Sequence, residues 1–166
     1  MTTGGIPRPA LHLASDHAGF ALKETIKAWM SAGDALPYEI VDHGAFVYDE
    51  LDDYPDFIGK AAAAVAASPV SDRAIIFGGS GQGEAMLANR YPGVRATVFY
   101  GGDESIVSLS REHNDANVLS FGARFVEAET VKRLIVLWLQ TDPSPDPKYV
   151  RRIQKVEKLS RHPTTI

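Results

Sequence analysis

Three short stretches group side chains that could move protons on an oxygen-rich substrate: Asp16-His17, the run Gly78-Gly79-Ser80-Gly81-Gln82-Gly83-Glu84, and His113-Asn114-Asp115. The glycine run carries the most information. An apolar stretch, Ile75-Ile76-Phe77, breaks into four glycines within six residues, and Ala85-Met86-Leu87-Ala88-Asn89 then suits a helix. This is the pattern of a buried strand feeding a closely approachable loop with a helix N-terminus behind it. Free N–H groups and the helix dipole make such a loop a place for an oxyanion or a phosphate. Ser80 adds a hydroxyl and Glu84 a carboxylate in the first helical turn. Three familiar motifs nearly fit and none does. A nucleotide-hydrolase phosphate loop needs lysine where Glu84 stands, and the dinucleotide pattern counted from Gly79 needs glycine there. A hydrolase nucleophile elbow around Ser80 needs glycine in place of Gln82. The loop reads as an anion site at a strand end, with a tight structural turn as the alternative.

Each of the other groups also has an ordinary reading. Asp16 follows a strand and precedes a helix, where it could act as a cap. Glu84 could be a carboxylate favoured by the helix dipole, worth about 0.3–1 kcal/mol, and His113-Asn114-Asp115 could be a polar loop. Taken together, in loops expected on one edge of one sheet, they supply an acid, a base and an anion hole. That is the inventory for proton transfer at a carbonyl. Cations come late in the chain. Lys148 and Arg152 are four apart, as are Arg151 and Lys155, so each pair shares a helix face; a solvated basic surface is the alternative. Arg124, after Gly122-Ala123, is a further candidate. No metal is expected: His12, His17, His43, His113 and His162 show no ligand spacing, and no Asp-x-Asp calcium pattern occurs.

The elements that must hold these residues alternate. Leu11 to Ser15 reads as a strand, followed by a helix whose Leu22, Ile26, Trp29 and Met30 share one face, ended by Gly33. Tyr38 to Asp42 is a second strand, and Gly44 to Tyr54 an acidic loop. Pro55 opens an alanine-rich helix running to about Ala67, closed by Pro69. Ala74 to Phe77 is the third strand, leading into the glycine loop and its helix. Ala96 to Tyr100 is the fourth, with a helix to about Glu112, and Val118 to Phe121 the fifth. Val131, Leu134, Ile135 and Trp138 show helical spacing, Thr141 to Pro147 is a proline-rich connection, and a basic helix runs from about Tyr149 to Ser160. Strand–helix alternation of this kind predicts an α/β, Rossmann-like three-layer sandwich with a five-stranded parallel sheet. Ligands of such sheets lie beyond the carboxyl ends of the strands.

Composition sets the outer bounds. The 166 residues, 45% hydrophobic and 23% charged with net charge −4, suit one domain with a full core. Residues 10–161 form that domain, with tails at 1–9 and 162–166. There is no basic excess for nucleic acid, and the longest apolar run, Ala61 to Ala67, is too short to span a bilayer. Disulfides, thiolate nucleophiles and cysteine-based zinc sites are excluded because the chain has no cysteine. The N-terminus lacks the apolar core of a signal peptide, and a cytoplasmic protein is expected.

The motifs together carry a resemblance. Ser15-Asp16-His17-Ala18-Gly19-Phe20-Ala21-Leu22-Lys23 resembles the N-terminal signature of the type B ribose-5-phosphate isomerases, a family that includes the subunits of galactose-6-phosphate isomerase. Asp53-Tyr54-Pro55, Gly79-Ser80-Gly81-x-Gly83, Ala88-Asn89-Arg90 with Pro92-Gly93-Val94-Arg95, and Arg111 to Asn117 match in order, so the likeness spans Leu11 to Arg152. It implies a cofactor-free aldose–ketose isomerase working through an enediolate, as a homodimer or a dimer of dimers with shared sites. By position, Asp16 and His113 would open the furanose ring, and the Gly79, Gly81 and Gly83 loop with Ser80 would hold the enediolate oxygen. Tyr54 and Asn114 would line the sugar; His17, Arg124 and Arg152 would take the phosphate, with Lys148 beside them. One branch of the family has its catalytic cysteine where this chain has Gly78. A second uses a glutamate after the loop, which Glu84 matches, so Glu84 is the expected base between C2 and C1. Lys148 stands where that branch has arginine, keeping charge but losing the two-pronged grip on phosphate, and Arg151 could take over that contact. D-Ribose 5-phosphate is the expected substrate. A galactose or allose 6-phosphate, and a non-catalytic phosphosugar-binding subunit, are the rivals. A flavodoxin-like nucleotide module fits the alternation alone.

Overall fold

Leu11 and Leu13 alternate with His12 and Ala14 along the first strand, β1 (Ala10–Ser15), and both sets are buried. A strand covered on both faces belongs in the interior of a parallel sheet with helices on each side. The computed structural model, which describes residues 8–32 and 37–161, has that form. The helix stop expected at Gly33, His162 and most of the two tails lie outside the described residues. Further elements follow in the expected alternation: α1 (His17–Ala32), β2 (Glu39–Asp42), α2 (Pro55–Ala67), β3 (Arg73–Gly78), α3 (Gln82–Ala88) and β4 (Ala96–Phe99). The chain then continues through α4 (Ser105–Asn114), β5 (Val118–Gly122), α5 (Ala128–Gln140) and α6 (Pro147–Arg161). All four strand pairings are parallel, in the order β2-β1-β3-β5-β4.

The two faces of the sheet carry different side chains. Leu11, Leu13, Ile75, Phe77, Leu119 and Phe121 meet Ile26 and Met30 of α1, Val107 of α4, and Leu134, Ile135 and Trp138 of α5. Ala14, Ala74, Ile76 and Val118 on the other face meet Ile58, Ala61, Ala62 and Val65 of α2 and Ala88 of α3. Small residues on that second face let the alanine-rich helix approach closely. The strand order reverses direction between β1 and β3, with β2 on one side and β5 and β4 on the other. Loops leaving β1 and β3 therefore diverge and open a crevice at their carboxyl ends. Gly19, in the first turn of α1, narrows it: a Cβ there would stand 2.5 Å from the Phe77 carbonyl carbon. Only a glycine lets α1 begin against the end of β3, which brings Asp16 and His17 beside the glycine loop.

Candidate active site

The carboxyl ends of β1, β3 and β5 gather most of the expected site residues. Asp16 does cap α1, its Oδ1 accepting the Gly19 N–H at 3.1 Å. Gly81 has φ 75°, a left-handed conformation that favours glycine, and starts α3. The loop is strapped from β5: Ser120 donates its hydroxyl to the Gly81 carbonyl at 2.6 Å, and the Ala123 and Arg124 amides donate to the Gly78 and Gly79 carbonyls at 2.8 and 3.2 Å. These bonds put the Arg124 guanidinium within 3.4 Å of where a Gly79 Cβ would be. The Tyr54 ring stands similarly over Gly83, 3.2–3.4 Å from a Cβ built there. Ser80 Oγ accepts weakly from the Gln82 amide at 3.4 Å.

Glu84 lies at the centre, in the first turn of α3, and is 4% exposed. Its carboxylate folds back over Gly78: a Cβ there would be 1.8 Å from Oε1 and 2.0 Å from Cδ. The missing side chain of Gly78 is thus the space the carboxylate occupies. A cysteine at 78 and a glutamate at 84 cannot both hold this volume in this backbone. Burial pushes the Glu84 carboxyl above the usual range, its own backbone amide pulls down, and the Asp16 carboxylate pushes it further up. A desolvated carboxylate without a paired cation is a stronger base than one in water.

His17 is tied to a residue that sequence spacing did not single out. Asp52 Oδ1 accepts both the His17 backbone N–H at 3.0 Å and Nδ1–H at 2.7 Å. That bond raises the imidazole above its ordinary value against the opposing effect of desolvation; Asp16 and Asp52 add attraction and Arg124 subtracts. Donor atoms of Asp16, His17 and Asp52 fall within 4.8 Å of one another. No linear pattern announces this grouping, because Asp52 is 35 residues from His17. When protonated, the imidazole is a counter-charge to the two carboxylates.

His113 and Asn114 are not at this edge, contrary to the expectation of loops gathered on one side. They form the last turn of α4 rather than a loop, and α4 runs back down to the start of β5. In a parallel sheet a helix-to-strand connection must lie at the strands' amino ends. β5 alone, about 16 Å at ~3.3 Å per residue, separates them from Arg124. Lys148 and Arg152 lie at the same amino edge. The Ser144 amide donates to the Glu112 carbonyl at 2.9 Å, starting α6 beside α4. Tyr149 stacks on His113 with centroids 4.2 Å apart, and the Arg152 guanidinium and Lys148 ammonium lie 5.9 and 4.6 Å from the Tyr149 ring. Lys148 Nζ also pairs with Asp146 at 3.1 Å. Asn114 and Arg152 line one cavity of about 450 Å³ with Thr97 and Val156. The expected site residues therefore fall into two groups at opposite ends of the sheet: Asp16, His17, Tyr54, Gly79, Ser80, Gly81, Gly83, Glu84 and Arg124 at one, and His113, Asn114, Lys148 and Arg152 at the other.

Residues 11–156 match the Ribose/Galactose Isomerase family. Ribose-5-phosphate isomerase B of Mycolicibacterium paratuberculosis is 36% identical over 151 residues, 91% of each chain. The Escherichia coli protein of that name is 39% identical over 124 residues, 75% of this chain and 78% of its own. In three dimensions the chain is similar to ribose-5-phosphate isomerase B from Mycoplasma genitalium, crystallised with bound ribulose-5-phosphate. That likeness has a TM-score of 0.85 at 30% identity, covering 95% of this chain and 99% of the other.

Proposed function

This chain belongs to the ribose/galactose isomerase family, and from that membership we propose that it interconverts D-ribose 5-phosphate and D-ribulose 5-phosphate through an enediolate. The observation that carries the reading is the buried Glu84 carboxylate, folded over Gly78 beside the glycine loop and the Asp16 carboxylate. A base in that position, next to amides facing a strand end, suits removal of a proton alpha to a carbonyl.

Asp16 takes the proton of the C1 hydroxyl while His113 gives one to the ring oxygen, so the ring opens to the aldehyde. Glu84 then removes the C2 proton, and negative charge develops on O1. The amides of Gly79 to Gly83 and the Ser80 hydroxyl hold that oxygen. Glu84 returns its proton to C1 as the proton on O2 passes to O1, leaving the ketose. Tyr54 and Asn114 line the sugar. His17, Arg124 and Arg152 hold the phosphate, with Lys148 beside them, and Glu84 makes this a glutamate-base member of the family.

Because His113 and Arg152 lie at the far edge of the sheet, this scheme needs two copies of the chain. Each copy lends its amino-edge residues to the carboxyl-edge half of the other, as a homodimer or a dimer of dimers. Exposed Phe46, Val47, Tyr48, Leu51 and Phe125 around the carboxyl-edge half support a partner seated there. Among the described residues no helix is long and apolar enough to cross a membrane. A soluble phosphosugar substrate fits a cytoplasmic enzyme of the pentose phosphate pathway.

The test is turnover. The protein is incubated with ribose 5-phosphate and, separately, with allose or galactose 6-phosphate in buffer containing EDTA, and ketose formation is followed. Conversion of the pentose phosphate is expected. Conversion of a hexose phosphate alone would keep the mechanism and replace the substrate, and silence with all of them would favour a phosphosugar-binding subunit.

A further inference from the structure

We propose that Asp52 is a positioning residue that holds the His17 imidazole in place as a doubly protonated cation for the substrate phosphate. This rests on the reading that His17 contacts that phosphate. The geometry is specific. One carboxylate oxygen, Oδ1, receives two bonds from His17, the backbone N–H at 3.0 Å and Nδ1 at 2.7 Å. The first ties the start of α1 to the acidic loop before α2, and the second fixes the ring's rotation. With Nδ1–H given to Asp52, the remaining ring nitrogen, Nε2, is the one left to meet a ligand. The Asp52 side chain is only 9% exposed while that of His17 is 26% exposed. The orienting group is thus held inside and the oriented group stands at the surface of the crevice.

The charge follows from the same contact. A neutral imidazole has one N–H, and if Nδ1 keeps it, Nε2 presents a lone pair to an incoming phosphate oxygen and repels it. A second proton on Nε2 turns that contact into a charge-assisted hydrogen bond. Around His17 the charged groups are Asp52 on the acidic loop, Asp16 with Oδ2 at 4.0 Å, and Arg124 after β5; the Tyr48 ring stands edge-on at 6.4 Å. Of these, the Asp52 bond is the largest influence and favours the charged ring. The Asp52 carboxylate therefore keeps the imidazole cationic at a pH where an isolated histidine would be losing its proton.

Asp52→Asn separates charge from shape, since the asparagine oxygen can still accept from the backbone N–H and from Nδ1–H. Two readouts are needed. The first is an NMR titration of the His17 imidazole, which requires no turnover. Its midpoint is expected above 6.5 in the wild type and lower in Asp52→Asn. The second is KM for ribose 5-phosphate against pH. It is expected to rise about tenfold in the variant near pH 8, the equivalent of one lost charged contact, and to approach the wild-type value near pH 5.5, with kcat little changed. An unchanged His17 midpoint in Asp52→Asn overturns the proposal and leaves the isomerase reading intact. An absence of turnover in the wild type overturns the isomerase reading while the titration still decides whether Asp52 charges His17. Loss of kcat with KM unchanged would assign Asp52 to the scaffold instead. If the variant does not fold, the wild-type titration decides: a His17 midpoint at or below 6.5 sinks the idea.

Discussion

At the residue scale, a single missing side chain makes room for the Glu84 carboxylate. Gly78 leaves open the volume that the Glu84 carboxylate fills, so the two positions act as one unit. Gly78→Ala is therefore expected to displace a flexible carboxylate rather than break the sheet. The variant should keep its circular dichroism and thermal midpoint close to wild type yet lose most of its turnover. Retained turnover would mean that Glu84 need not sit where it does. Glu84→Gln keeps the shape and removes the proposed base, and should lower kcat by about 10²–10⁴-fold with modest change in KM. The same variant makes a stability prediction. Burial holds the Glu84 carboxyl above its unfolded value of 4.5. The folded state therefore gives up stability as pH rises from about 4.5 through the raised value. Glu84→Gln should melt higher than wild type at pH 7, and the gap should close towards pH 4. A gap independent of pH would mean another cause.

At the scale of elements, the first strand and its neighbours carry a second titrating group, away from the site. His12 on β1 and His43 after β2 share a hydrogen bond, Nδ1 to Nε2, of 2.9 Å, and Asp72 before β3 stands 3.6 Å from the other nitrogen of His12. Burial lowers both imidazoles; Asp72 opposes this for His12, whereas at His43 the neighbouring His12 and Lys60 reinforce it and Asp42 opposes it. An unfolded histidine takes its proton near 6.5, whereas this pair resists it. Their contribution to stability is thus complete above about 6.5 and is lost as pH falls below it. Thermal melts at pH 7.5 and 5.5 should show a larger drop for wild type than for His43→Gln. Equal drops would clear the pair. His43 is followed by Gly44, whose carbonyl accepts the Ser15 amide at 2.7 Å, so the loop that bears Asp52 is anchored beside this pair. The elements themselves were largely legible. The unbroken apolar run Ala74 to Phe77 and helical spacing in Val131 to Trp138 are local signals, and β3 and α5 fall on them. Boundaries moved where tertiary contacts extend an element, as when α4 runs on through His113 and Asn114 to the left-handed Asp115.

On the scale of the whole molecule, the proposed sharing of the site between two copies makes a prediction that no single-chain arrangement shares. Glu84→Gln damages the carboxyl-edge half and His113→Ala the amino-edge half. Each variant alone should be nearly inactive. Unfolded together and refolded as a mixture, they should form hybrids in which one site has both halves intact, restoring about a quarter of wild-type activity for random pairing in a two-fold dimer. Activity no greater than the sum of the separate variants would show that each chain completes its own site.

What the sequence by itself determined is what short-range physics controls. Short apolar runs and 3.6-residue spacing set the strands and helices, the glycines after Phe77 set an approachable loop at a strand end, and their order implied the parallel sandwich. Those signals act over a few residues, so the strand–loop–helix units at the carboxyl edge could be read directly. The tertiary structure alone decided which distant groups meet. Glu84 filling the volume above Gly78, Asp52 gripping His17 across 35 residues, and Tyr149 stacking on His113 depend on how the chain folds back on itself in space. The side of the sheet on which His113 falls depends on the direction in which α4 crosses it. That direction follows from the parallel pairing of β4 and β5, since a helix joining two parallel strands must return to their amino ends.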